Sequence, residues 1–214
     1  MRMFEEVFTG FPRTLRSVFS TRNLRWHAIA VALTAVIVLT DTDWHFYEAT
    51  RSTMLYPLVW AAGIGGFFVP VLLALVPYVA GDFLHNDKLR RAGASVARAV
   101  LAALVVTMFY KVFTGRIQPE FLGTIGGSDI SKEFQFGVLR NGVFWGWPSS
   151  HAATAMAGAL AFVSAYRSYA IKIILFTEVA LVAAGAAVGF HWFSDVVAGL
   201  ILGTVVGRET VHSA

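Results

Sequence analysis

The chain contains no cysteine, which excludes disulfides and thiolate chemistry at once. Charge is also scarce: Asp, Glu, Lys and Arg make up 14% of 214 residues, against about 25% in a soluble domain. Internal repeats, low-complexity tracts and a linker composition are missing, so one compact helical domain is the sensible count. A cleavable signal is not expected either, because the first apolar run begins only near Trp26, far from the start.

Apolar residues fill the space instead, at 57% of the chain, and they come in long runs. Six segments stand out, over roughly 26–40, 54–80, 92–113, 149–166, 171–189 and 193–207. A helical span needs about 20 residues, so the first, fourth and sixth are short or borrow from their flanks. The second holds Pro57, Pro70 and Pro77 and should be kinked. The expected fold is all-α: a six-transmembrane-helix bundle over 26–214. An interfacial amphipathic segment precedes it over 1–25, where Phe and Val mix with Arg.

With six spans, both termini share a side with the loops after the second and fourth. Twelve of the seventeen Lys and Arg residues fall on that side and five on the other. The positive-inside rule then places both termini in the cytoplasm of an inner (plasma) membrane and turns the loops 41–53, 114–148 and 190–192 outward. The net charge of +4 thus reports topology, and no nucleic-acid partner is implied.

Three polar stretches gather at that outer face. "KVFTGRIQP" (111–119) leaves the third span, "PSSH" (148–151) opens the fourth, and "FHWFSD" (190–195) joins the fifth to the sixth. Pro148 suits a helix start and would put Ser149 and Ser150 in the first turn, where unpaired N–H groups and the helix dipole favour a phosphate. His151 would stand beside that anion. His191 and Asp195 are four apart and would share a helix face; an Asp holding Nδ1–H leaves Nε2 free as nucleophile or base. Each stretch alone also reads as plain structure, a Ser cap with an interfacial His or a His–Asp cap pair. Together on one face they read as a joint site.

In order and spacing these stretches resemble the three motifs of the type 2 phosphatidic acid phosphatase superfamily, whose soluble members include vanadium haloperoxidases. The family pattern is Lys, then Arg-Pro seven residues on, then PSGH, then Ser-Arg, five residues, His, three residues and Asp. The resemblance covers most of 54–207. It implies that His191 attacks phosphorus to form a phosphohistidine, Asp195 orients it and His151 protonates the leaving oxygen. Ser149 and Ser150, with nearby N–H groups, would hold the phosphoryl oxygens, and Lys111 would neutralise their charge. No metal or cofactor is implied, since cationic side chains do that work.

Two motif arginines are absent. Gln118 occupies the first-motif Arg position, and the third-motif Ser-Arg pair falls on Ala184 and Gly185. On a helix, residues 111 and 118 lie within about 20° of one face, whereas 116 diverges from 111 by about 140°. Arg116, if Gly115 ends the helix, and Arg140 in the outer loop are the candidate replacements. The resemblance implies an integral-membrane, metal-independent lipid phosphatase acting on a lipid phosphomonoester or pyrophosphate. The missing guanidiniums keep open a phosphotransferase or head-group transferase acting on a phosphodiester, and a non-catalytic lipid-binding relative remains a third reading. Outside the motifs, Arg98 and Glu178 sit at matched depth in the third and fifth spans and are expected to pair.

Overall fold

A computed structural model describes residues 2–119 and 128–212; part of the 114–148 loop thus lies outside the described residues. Eight α-helices form among them: α1 (Arg2–Val18), α2 (Thr21–Leu39), α3 (Thr42–Thr50), α4 (Tyr56–Phe83), α5 (Asp87–Thr114), α6 (Ser150–Ala165), α7 (Tyr169–Gly189) and α8 (Phe193–His212). A short 3-10 turn (Thr53–Leu55) precedes α4. Four of them, α2, α4, α5 and α7, are long and apolar enough to cross a membrane. With 16 residues α6 is short. α8 has 20 residues, but Asp195, Arg208 and Glu209 keep any long window of it from being apolar enough.

Several expectations are corrected at the ends. α2 starts at Thr21, five residues before Trp26. The outer loop expected over 41–53 is largely the helix α3. α4 runs 28 residues with Pro57 in its first turn and Pro70 and Pro77 inside it.

The N-terminal helix α1 is amphipathic, as its Phe, Val and Arg mixture implies. Val7, Thr14 and Val18 are buried against the bundle, while Phe4 is exposed. It lies along α5 and α8, and this overturns the expected Arg98–Glu178 pair. Arg98 donates from Nε to the Val7 carbonyl at 3.1 Å and from Nη2 to the Glu6 carbonyl at 2.5 Å. A helix laid beside α5 thus supplies acceptors for two of the three Arg98 nitrogens, while Nη1 has none among the described residues. In α7, the Oε1 atom of Glu178 is buried without a hydrogen-bond partner.

The centre of the bundle is the α6–α8 pair. α6 is built from small residues, with Ala152, Ala153, Ala157 and Ala161 fully buried. α8 meets it with Gly199, Gly203 and Gly207, a four-residue spacing that puts three glycines on one face. A Cβ at Gly199 would stand 2.5 Å from the Ser149 carbonyl oxygen, and one at Gly203 would stand 2.4 Å from that of Ala153. The two backbones are in contact, as small-residue stripes permit between apolar helices. This fixes the start of α6 against the start of α8. Gly203→Leu should therefore lower the melting temperature in detergent, with a cost of about 1–3 kcal/mol or more for overpacking; an unchanged melting temperature would show that the two helices are not so closely packed.

Candidate active site

Three helix ends converge at one end of the bundle: the C-terminus of α5, the N-terminus of α6, and the α7–α8 junction. Ser149 is the N-cap of α6, so Pro148 lies outside the helix and not in its first turn. The Ser149 hydroxyl accepts from the Ala152 amide at 3.4 Å, and the Ser149 amide donates to the Asp195 carbonyl at 2.9 Å. The Ser150 hydroxyl meets that of Thr107 at 2.9 Å. Ser149 thus caps α6 as an acceptor with its own proton still to donate, Ser150 is paired with Thr107, and the α6 start also offers an anion its first-turn N–H groups.

His191 does not share a helix face with Asp195. It sits in the three-residue link between α7 and α8, and Asp195 belongs to the first turn of α8. The pair meets nevertheless: Nδ1 lies 3.3 Å from Asp195 Oδ2, and the Trp192 amide donates to the same oxygen at 3.2 Å. The Gln118 side-chain amide is 3.4 Å from that Nδ1. With Nδ1 so engaged, Nε2 is the available nitrogen. Burial holds the His191 imidazole below its ordinary value. The Asp195 hydrogen bond opposes that shift, and the charges of Lys111 and Arg116 add to it. The neutral, nucleophilic form is favoured.

His151, in the first turn of α6, faces this pair. The two imidazole centroids are 6.2 Å apart, and the rings share no hydrogen bond among the described residues. His151 stacks edge-on against Phe190 at 4.9 Å, and its Nδ1 is buried without a hydrogen-bond partner. Lys111, near the end of α5, is 1% exposed and donates from Nζ to the Phe144 carbonyl at 2.9 Å.

Arg116 takes a different part from the one expected. Gly115 ends α5 in the left-handed region (φ 46°), and the chain turns so that Arg116 is wholly buried. Its guanidinium is held between two carboxylates. Nη2 donates to Asp43 Oδ2 at 2.6 Å and to the Ser131 carbonyl at 2.6 Å, while Nη1 donates to Ser194 Oγ at 2.7 Å and to Asp195. Asp43 also accepts from the Ser194 amide at 2.8 Å, at the N-terminus of α8. Arg116 braces the aspartate that faces His191, and its charge is matched twice over. Arg140 is exposed and lies along Gly137.

Asp43 escaped the sequence reading. Nothing in the spacing of α3 ties it to residue 116 or 194. The available signal was indirect, because a buried guanidinium demands an acceptor. The departure at Gly185 has a plain cause. A Cβ there would stand 2.4 Å from both the Leu58 carbonyl oxygen and the Ala62 Cβ. α4 packs where the motif arginine would begin, so no side chain fits.

An apolar groove of about 250 Å³ adjoins the site. Phe67 and Val71 of α4 and Leu104 and Met108 of α5 form its walls, and Ser150 and His151 stand in its lining. Phe67 is 63% exposed, so the groove opens on the flank of the bundle.

Fold and site together describe an all-α protein with membrane-span helices and a His–Asp pair set against a second His at one bundle end. The profile of the PAP2 superfamily matches residues 92–214, more than half of the chain, and the chain belongs to that superfamily. Among solved structures it is similar to the first transmembrane PAP2 type phosphatidylglycerolphosphate phosphatase from Bacillus subtilis. That likeness has 17% identity over 99% of this chain and 96% of that one, with a TM-score of 0.35. No curated relative matches the chain.

Removing Arg116 leaves Asp43 and Asp195 buried without their counter-charge. Arg116→Ala should cost about 3–5 kcal/mol of stability, read from unfolding in detergent. Arg116→Lys should also destabilise, since a point charge cannot reproduce the fork that reaches two carboxylates, a hydroxyl and a carbonyl. A loss within about 0.5 kcal/mol for the alanine variant, as at an ordinary surface site, would show that the two carboxylates do not depend on it.

Proposed function

We propose that the protein is an integral-membrane, metal-independent lipid phosphatase. It cleaves a lipid phosphomonoester or pyrophosphate through a phosphohistidine at the outer membrane face. The observation that carries this reading is the buried His191–Asp195 pair with Nδ1 engaged, 6.2 Å from the His151 ring and beside Lys111. His191 Nε2 attacks phosphorus as the bond to the leaving oxygen breaks, and His151 gives that oxygen a proton. His151 then takes a proton from water as the water oxygen attacks the phosphohistidine, which releases phosphate and restores both rings. Lys111 and the first-turn N–H groups of α6 offset the charge on the phosphoryl oxygens. The groove beside His151 gives a lipid chain a way in from the bilayer flank.

In this reading six helices span the membrane, from α2 to α8 without α3. α6 and α8 fall short in length or hydropathy because they form the interior, where packing against protein replaces contact with lipid. α1 and the end of α8 meet at the end opposite the site, which the charge count puts on the cytoplasmic side. The purified protein, offered a panel of lipid monoesters, pyrophosphates and diesters, should release phosphate from the first two, and His191→Ala should release none. Phosphate release at the wild-type rate by that variant would sink the mechanism.

One observation favours a second reading. Arg116 is matched by Asp43 and Asp195, so among the described residues Lys111 is the buried cation near the histidines that no carboxylate matches. A monoester carries nearly two negative charges at neutral pH and a diester one, so a head-group transferase acting on a diester fits the smaller positive charge. Transfer from a diester to a lipid hydroxyl, with no phosphate from any monoester, would select it. Gln118→Arg tests the same balance. Its side chain already faces His191 at 3.4 Å, and a charge-assisted bond contributes about 1.5–3 kcal/mol. Vanadate should inhibit that variant at least about tenfold more tightly; unchanged inhibition would mean that residue 118 does not reach the anion.

A further inference from the structure

The end of the bundle opposite the histidines carries two clefts that the proposed reaction does not use. One, of about 350 Å³, lies between α2 and α8, with Arg22 and Arg25 at its rim and Trp26, Ile201 and Val205 in its lining. The other, of about 550 Å³, lies where the end of α6, the start of α7 and the end of α8 meet, with Arg167 and Lys172 at its rim and Leu160, Val163 and Phe176 in its lining. Arg208 and His212 line both, so the two clefts share one wall. Arg208 stands thirteen residues along α8 from Asp195, about 20 Å from the catalytic end at 1.5 Å per residue.

The charge in these clefts is one-sided. Among the described residues that line them Glu209 is the one carboxylate, and it is already engaged by Arg22 at 2.7 Å and by Ser17. Arg25, Arg167, Lys172 and Arg208 make no ion pair among the described residues and are exposed. Lysines and arginines scattered at a cytoplasmic boundary would report topology alone. Here they edge two concave surfaces with apolar linings, one of which also offers Trp26 at headgroup level, with Arg25 5.6 Å from its ring centre.

We propose that these clefts bind an anionic glycerophospholipid of the leaflet opposite the active site, its phosphate against Arg208 with Arg25 or Lys172 and its acyl chains along the apolar linings. Basic pockets between helices at a cytoplasmic boundary suit such head groups. The occupant acts on stability. It ties α8 to α2 on one side and to α6 and α7 on the other, at the far end of the helix that carries Asp195. Because this binding involves no turnover, it stands or falls independently of the phosphatase reading.

The test is the rise in melting temperature of the full-length protein in detergent on titration with dioleoyl phosphatidylglycerol, with dioleoyl phosphatidylcholine as the zwitterionic control. The wild type should be stabilised saturably by the anionic lipid and not by the zwitterionic one. Arg25→Gln with Arg208→Gln, and separately Arg167→Gln with Lys172→Gln, should each weaken that effect roughly thirtyfold in lipid concentration, at about 1 kcal/mol per basic residue. Arg16→Gln with Arg91→Gln removes the same charge from the same end but outside both clefts, and should leave the titration unchanged. Equal weakening by this control pair would reduce the effect to general attraction between a basic surface and an anionic lipid, and would overturn the proposal. So would equal stabilisation by the two lipids, or no change in either cleft variant.

Discussion

The guanidinium of Arg116, buried between Asp43 and Asp195, is the contact on which the candidate site rests. Three wholly buried charges are tolerable because each has an opposite partner and Nη1 and Nη2 of Arg116 are hydrogen-bonded, although its Nε has no acceptor among the described residues. Ser194 and the Ser131 carbonyl complete the set. The cluster ties together the turn after α5, the start of α3 and the first turn of α8. It thereby fixes the aspartate oxygen that faces His191. The helix dipole acts in the same direction, since two carboxylates lie at the N-terminus of α8.

Around that clamp the geometry follows from close backbone packing. The glycine face of α8 against the small residues of α6 brings the cap of α6 within hydrogen-bond reach of Asp195, through the Ser149 amide and the Asp195 carbonyl. His151 therefore faces His191 because two helices touch along their length and the short link that carries His191 is anchored at the start of α8. α4 contributes by exclusion. It occupies the space beside Gly185 where the superfamily motif has an arginine, and it forms one wall of the groove that reaches His151.

Much of this was legible in the residues. The helical segments, their order and the stretches around Lys111, His151 and His191 follow from hydropathy and from motif spacing, and the superfamily match bears the resemblance out. What was not legible depends on pairs distant in sequence. Asp43 and Arg116 are 73 residues apart, and Asp43 lies outside the part of the chain that the superfamily profile matches. No spacing rule links them. Arg98 was paired with Glu178 by depth alone, but depth says nothing about azimuth, and the contact of α1 with α5 was not foreseen. Ser149 was placed two positions too deep in its helix, because Pro148 reads equally well as a first helical residue and as the residue before a cap.

The central claim is that His191 carries the phosphoryl group. Rapid quenching of the purified protein with a lipid monoester labelled in its phosphate, followed by mapping of the label, tests it most directly. The account predicts an acid-labile phosphohistidine at position 191, formed and lost at rates compatible with turnover and absent in His191→Ala. Turnover with no label on the protein, or with label on any other residue, would contradict it.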